Sequence, residues 1–204
     1  MQTAVVAVLG TNGIGMLDGR LPWHPHRLSF DMSFLSLVTT NGYTVSDSRF
    51  TVNEPVGRNA VVMGRKTFES LPPRMRPLPN RRNLILTRGN NNISVETAGS
   101  LDQAVVMCPE PLFILGGKAV YEEAMQKQKV PFLVTKIHHF PDNLHAEITL
   151  DLSVLTNEYK CTDITSDVYD ELLRLKPELR EKGQLVDNVI QEGDFRYSFL
   201  YYHI

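Results

Sequence analysis

Short apolar runs closed by glycine or polar turns alternate along this chain with stretches of helical period. Thr3 to Leu9 and Ala60-Val-Val-Met63 are unbroken and rich in β-branched residues, as strands buried on both faces require. Asn83 to Thr87, Leu112 to Leu115 and Pro131 to His138 repeat the pattern. Between them Arg27 to Thr40, Thr67 to Leu71, Leu101 to Met107 behind a capping Ser100, and Ala119 to Gln126 read as helices. Asn41 to Arg58 is a polar excursion with a short extended piece at Arg49 to Val52, and Ile93 to Val95 is a short strand after a turn over Gly89 to Asn92. Later, Glu147 to Leu150, Tyr159 to Ile164 and the aromatic run Phe195 to Tyr202 are extended, while Ser166 to Gly183 is charged and helix-compatible. Helices alternate with strands early and strands predominate late. The order predicts one α/β domain over residues 1–204, its largely parallel sheet finished by an antiparallel hairpin.

One polar residue breaks the pattern. On a helical wheel started at Arg27, Ser29, Ser33, Ser36 and Thr40 share an arc near about 210°, the polar face. Asp31 falls at about 40°, between Val38 at about 20° and Leu35 at about 80°, in the middle of the apolar face. An ionised carboxylate buried there without a partner is costly, so Asp31 has either a protein partner or a ligand's donors to meet.

Three glycine-bearing turns carry the remaining candidate chemistry. Gly64 leads a buried strand into Arg65-Lys66-Thr67 and a helix start, which sets two cations and a hydroxyl beside free backbone N–H groups. Gly116-Gly117 does the same before Lys118, and two adjacent glycines admit a pyrophosphate. Gly13 to Gly19 lacks the helix that a phosphate fingerprint needs and is better read as a loop over a site. Thr87-Arg88 and the arginines between Arg74 and Arg82 place further cations at strand ends, where a guanidinium fork suits carboxylate or phosphate.

Composition removes other classes. A formal net charge of −2 points to neither nucleic acid nor an anionic membrane as partner, and no apolar run approaches a membrane span. Cys108 and Cys161 are the only cysteines and lie far apart, so neither a metal cluster nor a disulfide framework is expected. Together with an N-terminus that lacks the basic segment of a signal peptide, this favours a cytoplasmic protein.

The motifs taken in order are Val5-Val-Ala-Val8, Gly13-Ile-Gly15, Leu21-Pro-Trp23, Asp31 on the next helix, Val62-Met-Gly-Arg-Lys-Thr67, Arg76-Pro-Leu-Pro-Asn-Arg81, Phe113-Ile-Leu-Gly-Gly117 with Tyr121, and Glu192-Gly-Asp-Phe-Arg-Tyr197. Over nearly the whole chain this set resembles dihydrofolate reductase, in the longer form seen in eukaryotes. The resemblance implies a central, mostly parallel eight-stranded sheet flanked by about four helices. It implies reduction of 7,8-dihydrofolate to 5,6,7,8-tetrahydrofolate by NADPH, in support of one-carbon metabolism and thymidylate synthesis. Hydride would pass to pterin C6, with water protonating N5.

By the same resemblance Asp31 grips the pterin's 2-amino group and N3, Trp23 holds a water near it, and Thr135 bonds the acid. Ala7, Ile14 and Gly15 would line the nicotinamide pocket, with Gly13 and the mobile loop of Met16, Leu17, Asp18 and Gly19 closing over it. Gly64, Arg65, Lys66, Thr67, Thr87 and Arg88 would surround the adenosine phosphates, including the 2′-phosphate. Gly116 and Gly117, whose peptide is usually cis in the family, would contact the pyrophosphate, and Lys118, Ala119, Val120 and Tyr121 would continue that wall. Val5, Met32, Phe34, Leu35, Leu71, Leu78 and Leu115 would enclose the substrate, with Arg81 clamping its α-carboxylate. Antifolate inhibitors are further expected ligands, and a monomer without metal is expected. The chain departs from the usual pattern at Leu35 and Met32, where aromatics are common, at Met75, and at Arg82, where an apolar residue usually follows the clamp. A fold-sharing reductase of riboflavin synthesis and a silent nucleotide-binding module are the alternatives, and an intact Leu-Pro-Trp with Asp31 argues against both.

Overall fold

The computed structural model describes residues 1–47, 49–55, 57–89 and 94–204. In chain order its strands are β1 (Gln2–Leu9), β2 (Gly13–Gly15), β3 (Tyr43–Ser46), β4 (Arg49–Val52), β5 (Ala60–Gly64), β6 (Arg82–Leu86), β7 (Glu96–Ala98), β8 (Leu112–Ile114), β9 (Phe132–His139), β10 (Ile148–Thr149), β11 (Lys160–Asp163), β12 (Gln184–Val186), β13 (Val189–Glu192) and β14 (Phe195–His203). The helices are α1 (Ser29–Asn41), α2 (Arg65–Ser70), α3 (Leu101–Met107), α4 (Lys118–Glu123), α5 (Ser153–Glu158) and α6 (Thr165–Leu175).

The main sheet runs β12-β13-β14-β9-β1-β8-β5-β6-β7. Its centre is parallel throughout, from β9 through β1, β8, β5 and β6 to β7, and β14 and β13 close it antiparallel. Among the described residues it holds twelve strands rather than eight, because short pieces, β2, β10, β11 and β12, are added at its margins. Among the described residues there are also six α-helices rather than four.

Alternation along each central strand divides the core in two. Val5 and Leu9 of β1 and Val61 and Met63 of β5 pack on the face covered by α1 and α6. Ala4, Val6 and Val8, with Ala60 and Val62, pack on the face of α3, α4 and α5. Both faces are therefore dry, which accounts for the unbroken apolar runs.

Several expected elements differ. α1 begins at Ser29, not Arg27, because Leu28 is extended. Its serine arc is only partly open to water. Ser33 is buried and accepts from Lys176 Nζ at 3.4 Å, while Phe30 stacks on Tyr169 of α6 at 5.5 Å. The excursion after α1 is a hairpin of β3 and β4, whose free edge is satisfied from α6: Phe50 N–H donates to Asp167 and Val52 N–H to Glu171. The extended piece before α3 is β7; of the expected turn over Gly89 to Asn92 and strand from Ile93, residues 90–93 lie outside the described residues. The long charged helix stops at Leu175 and resumes as a 3-10 turn from Pro177. β12 and β13 form a tight hairpin through Asp187 and Asn188, both at positive φ.

Candidate active site

A cleft of about 830 Å³ opens beyond the carboxyl ends of the parallel strands. One wall is Val6 and Ala7 of β1 with Ile14 and Gly15 of β2, backed by Ile148 and Leu115. Gly64 to Thr67 form the opposite rim, Leu86 to Gly89 follow β6, and Gly117 to Tyr121 enter α4. The interior is mainly apolar and the outer rim cationic.

Glycine is demanded where two of these segments meet. Gly64 N–H donates to Gly116 O at 2.7 Å, and the Gly116-Gly117 peptide is cis. Gly116 lies at φ +89, and a Cβ there would stand 2.5 Å from the Tyr121 ring. A Cβ on Gly117 would reach Thr67 Oγ1 at 3.1 Å. Tyr121 in turn donates its hydroxyl to Val5 O at 2.8 Å, tying α4 to β1, and burial holds its phenol well above its usual range. Arg65, Lys66, Arg88 and Lys118 are exposed around this junction. Two of them make i,i+4 pairs, Arg65–Glu69 at 3.7 Å and Lys118–Glu122 at 3.8 Å, too loose and wet to compete with a phosphate. Thr87 N–H bonds Ala98 O, holding the Thr87-Arg88 corner to β7.

Asp31, on α1, and Thr135 are not themselves among the residues that line the cleft. Thr135 of β9 is in register with Ala7 of β1, so the two share the face on which α1 packs. The buried Thr135 hydroxyl bonds the Asp31 carboxyl, and Ala7 beside it lines the cleft. Asp31 is half-buried, and desolvation pushes its pKa up to about 6; the Thr135 bond opposes the rise and Glu192 adds to it. Trp23 is buried in the same core.

Arg81 is buried against the last turns of α1. Its Nε donates to Pro79 O at 2.9 Å and its NH1 to Thr39 Oγ1 at 2.7 Å, and burial lowers its pKa. Its neighbour Arg82 points away, into Glu96 at 2.7 Å and Glu110 at 3.0 Å.

The family model described as dihydrofolate reductase matches residues 1–171. The chain is similar to the dihydrofolate reductase of Candida albicans, 30% identical over 203 residues that cover 96% of this chain and 92% of that one. It is similar to that of Sus scrofa, 34% identical over 195 residues, 88% and 96% of the two chains. With the Aedes albopictus enzyme it shares 33% identity over 182 residues, 82% and 89%.

The chain belongs to the dihydrofolate reductase family. It is accordingly an enzyme, with dihydrofolate as substrate and a nicotinamide cofactor.

Against the residues expected from sequence, the cleft gathers Ala7, Ile14, Gly15, Met16, Leu17 and Gly19, the strand-end group from Gly64 to Thr67, Thr87, Arg88, and Gly117 to Tyr121. Gly13, Asp18 and Gly116 do not line it. Gly13 is packed so closely on Ala146 that a Cβ would come within 2.5 Å, and Asp18 is turned to Arg20 by a 2.5 Å ion pair that lowers its pKa. The loop itself is a hydrogen-bonded turn, Gly19 N–H to Met16 O, with Leu17 N–H held by Glu147 at 2.8 Å.

Of the residues expected around the substrate, Leu115 is on the cleft wall. Val5, Leu78 and Phe34 are buried, and Phe34 belongs to the aromatic core against Phe199 at 4.6 Å. Leu35 and Leu71 are half-buried and Met32 is exposed. The reading from sequence missed Thr39, which holds Arg81, and Glu192, which faces Asp31. Thr39 carried the one usable signal, a hydroxyl at the end of the helix that bears the acid. Among the described residues no group of His, Cys, Asp and Glu could hold a metal, and no helix is long and apolar enough to cross a membrane.

Proposed function

We propose that the protein reduces 7,8-dihydrofolate to 5,6,7,8-tetrahydrofolate with NADPH, with Asp31 as the residue that grips the pterin. The observation that carries this is the Asp31–Thr135 pair, with Thr135 in register beside Ala7, which lines a cleft whose outer rim is cationic. When bound, the nicotinamide supplies hydride. The chain supplies position: Ala7, Ile14 and Leu115 offer an apolar wall to a flat ring, and Gly116-Gly117 allow the backbone to approach a pyrophosphate.

Arg65, Lys66 and Arg88 are the cations suited to a 2′-phosphate, which makes NADPH the cofactor over NADH. Asp31, bonded by Thr135, accepts from the 2-amino group and N3 of the pterin; held at that far edge, it leaves the proton on N5 to water. Arg81, with two donors already anchored, offers the rest of its fork to the substrate's carboxylate. Diaminopyrimidine antifolates carry the same donor pair and would compete at Asp31.

The test is turnover of dihydrofolate and NADPH followed at the nicotinamide absorbance. The chain should turn over, and Asp31→Asn should lose about two orders of magnitude or more while still binding NADPH. An inactive parent chain, or near-native turnover in the variant, refutes the proposal.

A further inference from the structure

The first turn of α1 has no cap of its own. Leu28 offers no side-chain bond, yet the helix must satisfy its leading N–H groups in a buried setting. The bonds come from the far end of the chain. Ser29 N–H donates to Glu192 Oε1 at 2.6 Å and Phe30 N–H to Glu192 Oε2 at 3.3 Å. The Tyr197 hydroxyl donates to the same Oε2 at 2.5 Å, and the Asp31 N–H faces the Tyr197 oxygen. Glu192 and Tyr197 are buried, and they sit on β13 and β14, the hairpin whose strand β14 pairs with β9 and so with Thr135.

We infer that Glu192 is a positioning residue for the substrate acid: its buried carboxylate caps α1 from the closing hairpin, fixing where Asp31 stands and the negative field it stands in. Three donors converge on the carboxylate, which is the demand an acceptor-only, ionised group meets. A negative charge at a helix N-terminus is favoured by the dipole. The same charge is unfavourable to ionised Asp31 two residues further on. Asp31 is thus held in place by a group that also keeps it ready to take a proton, and the rise in its pKa has Glu192 as a cause beside desolvation.

Other titratable or charged groups surround the pair. Tyr121 faces Asp31 from α4 and Tyr197 faces both acids from β14. Lys176, at the end of α6, reaches Ser33, and His26 lies edge-on to Phe195 at 5.3 Å. Of these, Glu192 alone adds negative charge to the surroundings of Asp31 at neutral pH.

The catalytic meaning of this inference rests on Asp31 being the substrate acid, but its test does not. The full chain labelled with carboxyl-¹³C aspartate is titrated by NMR, as wild type and as Glu192→Gln. The Asp31 midpoint should fall by about half a pH unit or more in the variant, since one cause of its elevation has gone. A merely structural cap would leave that midpoint in place, and an unmoved or raised midpoint overturns the inference. Should Glu192→Gln fail to fold, Glu192→Asp, which keeps a charge but draws it back from the start of α1, should lower the Asp31 midpoint by a smaller amount. No shift there overturns it equally. Unaltered turnover in Asp31→Asn would instead sink the role of Asp31 and leave the coupling standing.

Discussion

Replacing Arg81 by leucine separates the two adjacent arginines by function. Arg81 is 4% exposed and anchored twice, through Nε to Pro79 O and NH1 to Thr39 Oγ1. Among the described residues nothing accepts from its NH2 group, so that edge is left for a ligand. A bidentate guanidinium–carboxylate contact made there should contribute about 2–3 kcal/mol, so its loss should weaken dihydrofolate binding about thirty- to hundredfold. The glutamate of dihydrofolate carries that carboxylate; a small diaminopyrimidine inhibitor has none and should bind Arg81→Leu almost as before. Arg82→Leu should spare both ligands. It gives up ion pairs to Glu96 and Glu110 that are partly solvated, and should cost about 1 kcal/mol of stability or less. Fluorescence titration of both ligands against both variants decides it. A carboxylate-dependent loss in Arg82→Leu would refute the assignment, and equal losses for both ligands in Arg81→Leu would mean that Arg81 only supports the wall.

The remaining predictions use the same cleft. Arg88→Ala should weaken NADPH binding and leave NADH nearly unchanged, because only NADPH has a 2′-phosphate to lose; equal losses in a binding titration would place Arg88 elsewhere. Asp31 has a folded value of about 6 against 3.8 for the free side chain, so between those pH values the folded chain keeps a proton the unfolded chain has released, and this group's contribution to stability falls as pH rises through the window. Asp31→Asn should therefore be more stable than the parent above that window, on the order of 2 kcal/mol, with the advantage gone below about pH 4; a pH-independent difference in Tm would refute it. Gly116→Ala adds a Cβ 2.5 Å from the Tyr121 ring at positive φ and should cost well over the roughly 1 kcal/mol expected for Gly193→Ala, where φ is also positive but nothing lies within 4 Å; similar melting points for the two would contradict the close packing at the cleft.

Much of this was legible locally. Val5 to Val8 and Val61 to Met63 announce buried strands because each successive side chain must find an apolar face. Asp31 stands out because a period near 3.6 places it among apolar neighbours, whereas alternation says only that Arg81 and Arg82 cannot both face the cleft, and the motif spacing from Arg76 was needed to choose Arg81. Gly116-Gly117 before a helix start signals close backbone approach, and the structure supplies the reason in Tyr121 and Thr67.

Other features depend on partners that no local period reveals. α1 starts at Ser29 because Glu192, 163 residues away, supplies the cap, and Ser33 of its serine arc is buried where Lys176, at the end of α6, reaches it. The polar excursion becomes a hairpin because Asp167 and Glu171 bond its free edge. Asp18 resembles a site residue in sequence, yet its nearest cation, Arg20, turns it from the cleft. Amino-acid order by itself determined which segments must be buried and which polar residues needed explaining, since burial and backbone geometry act over one or two turns of chain. Tertiary structure decided which partner each of those polar residues meets, since a hydrogen bond between distant segments is set by how the sheet brings them together.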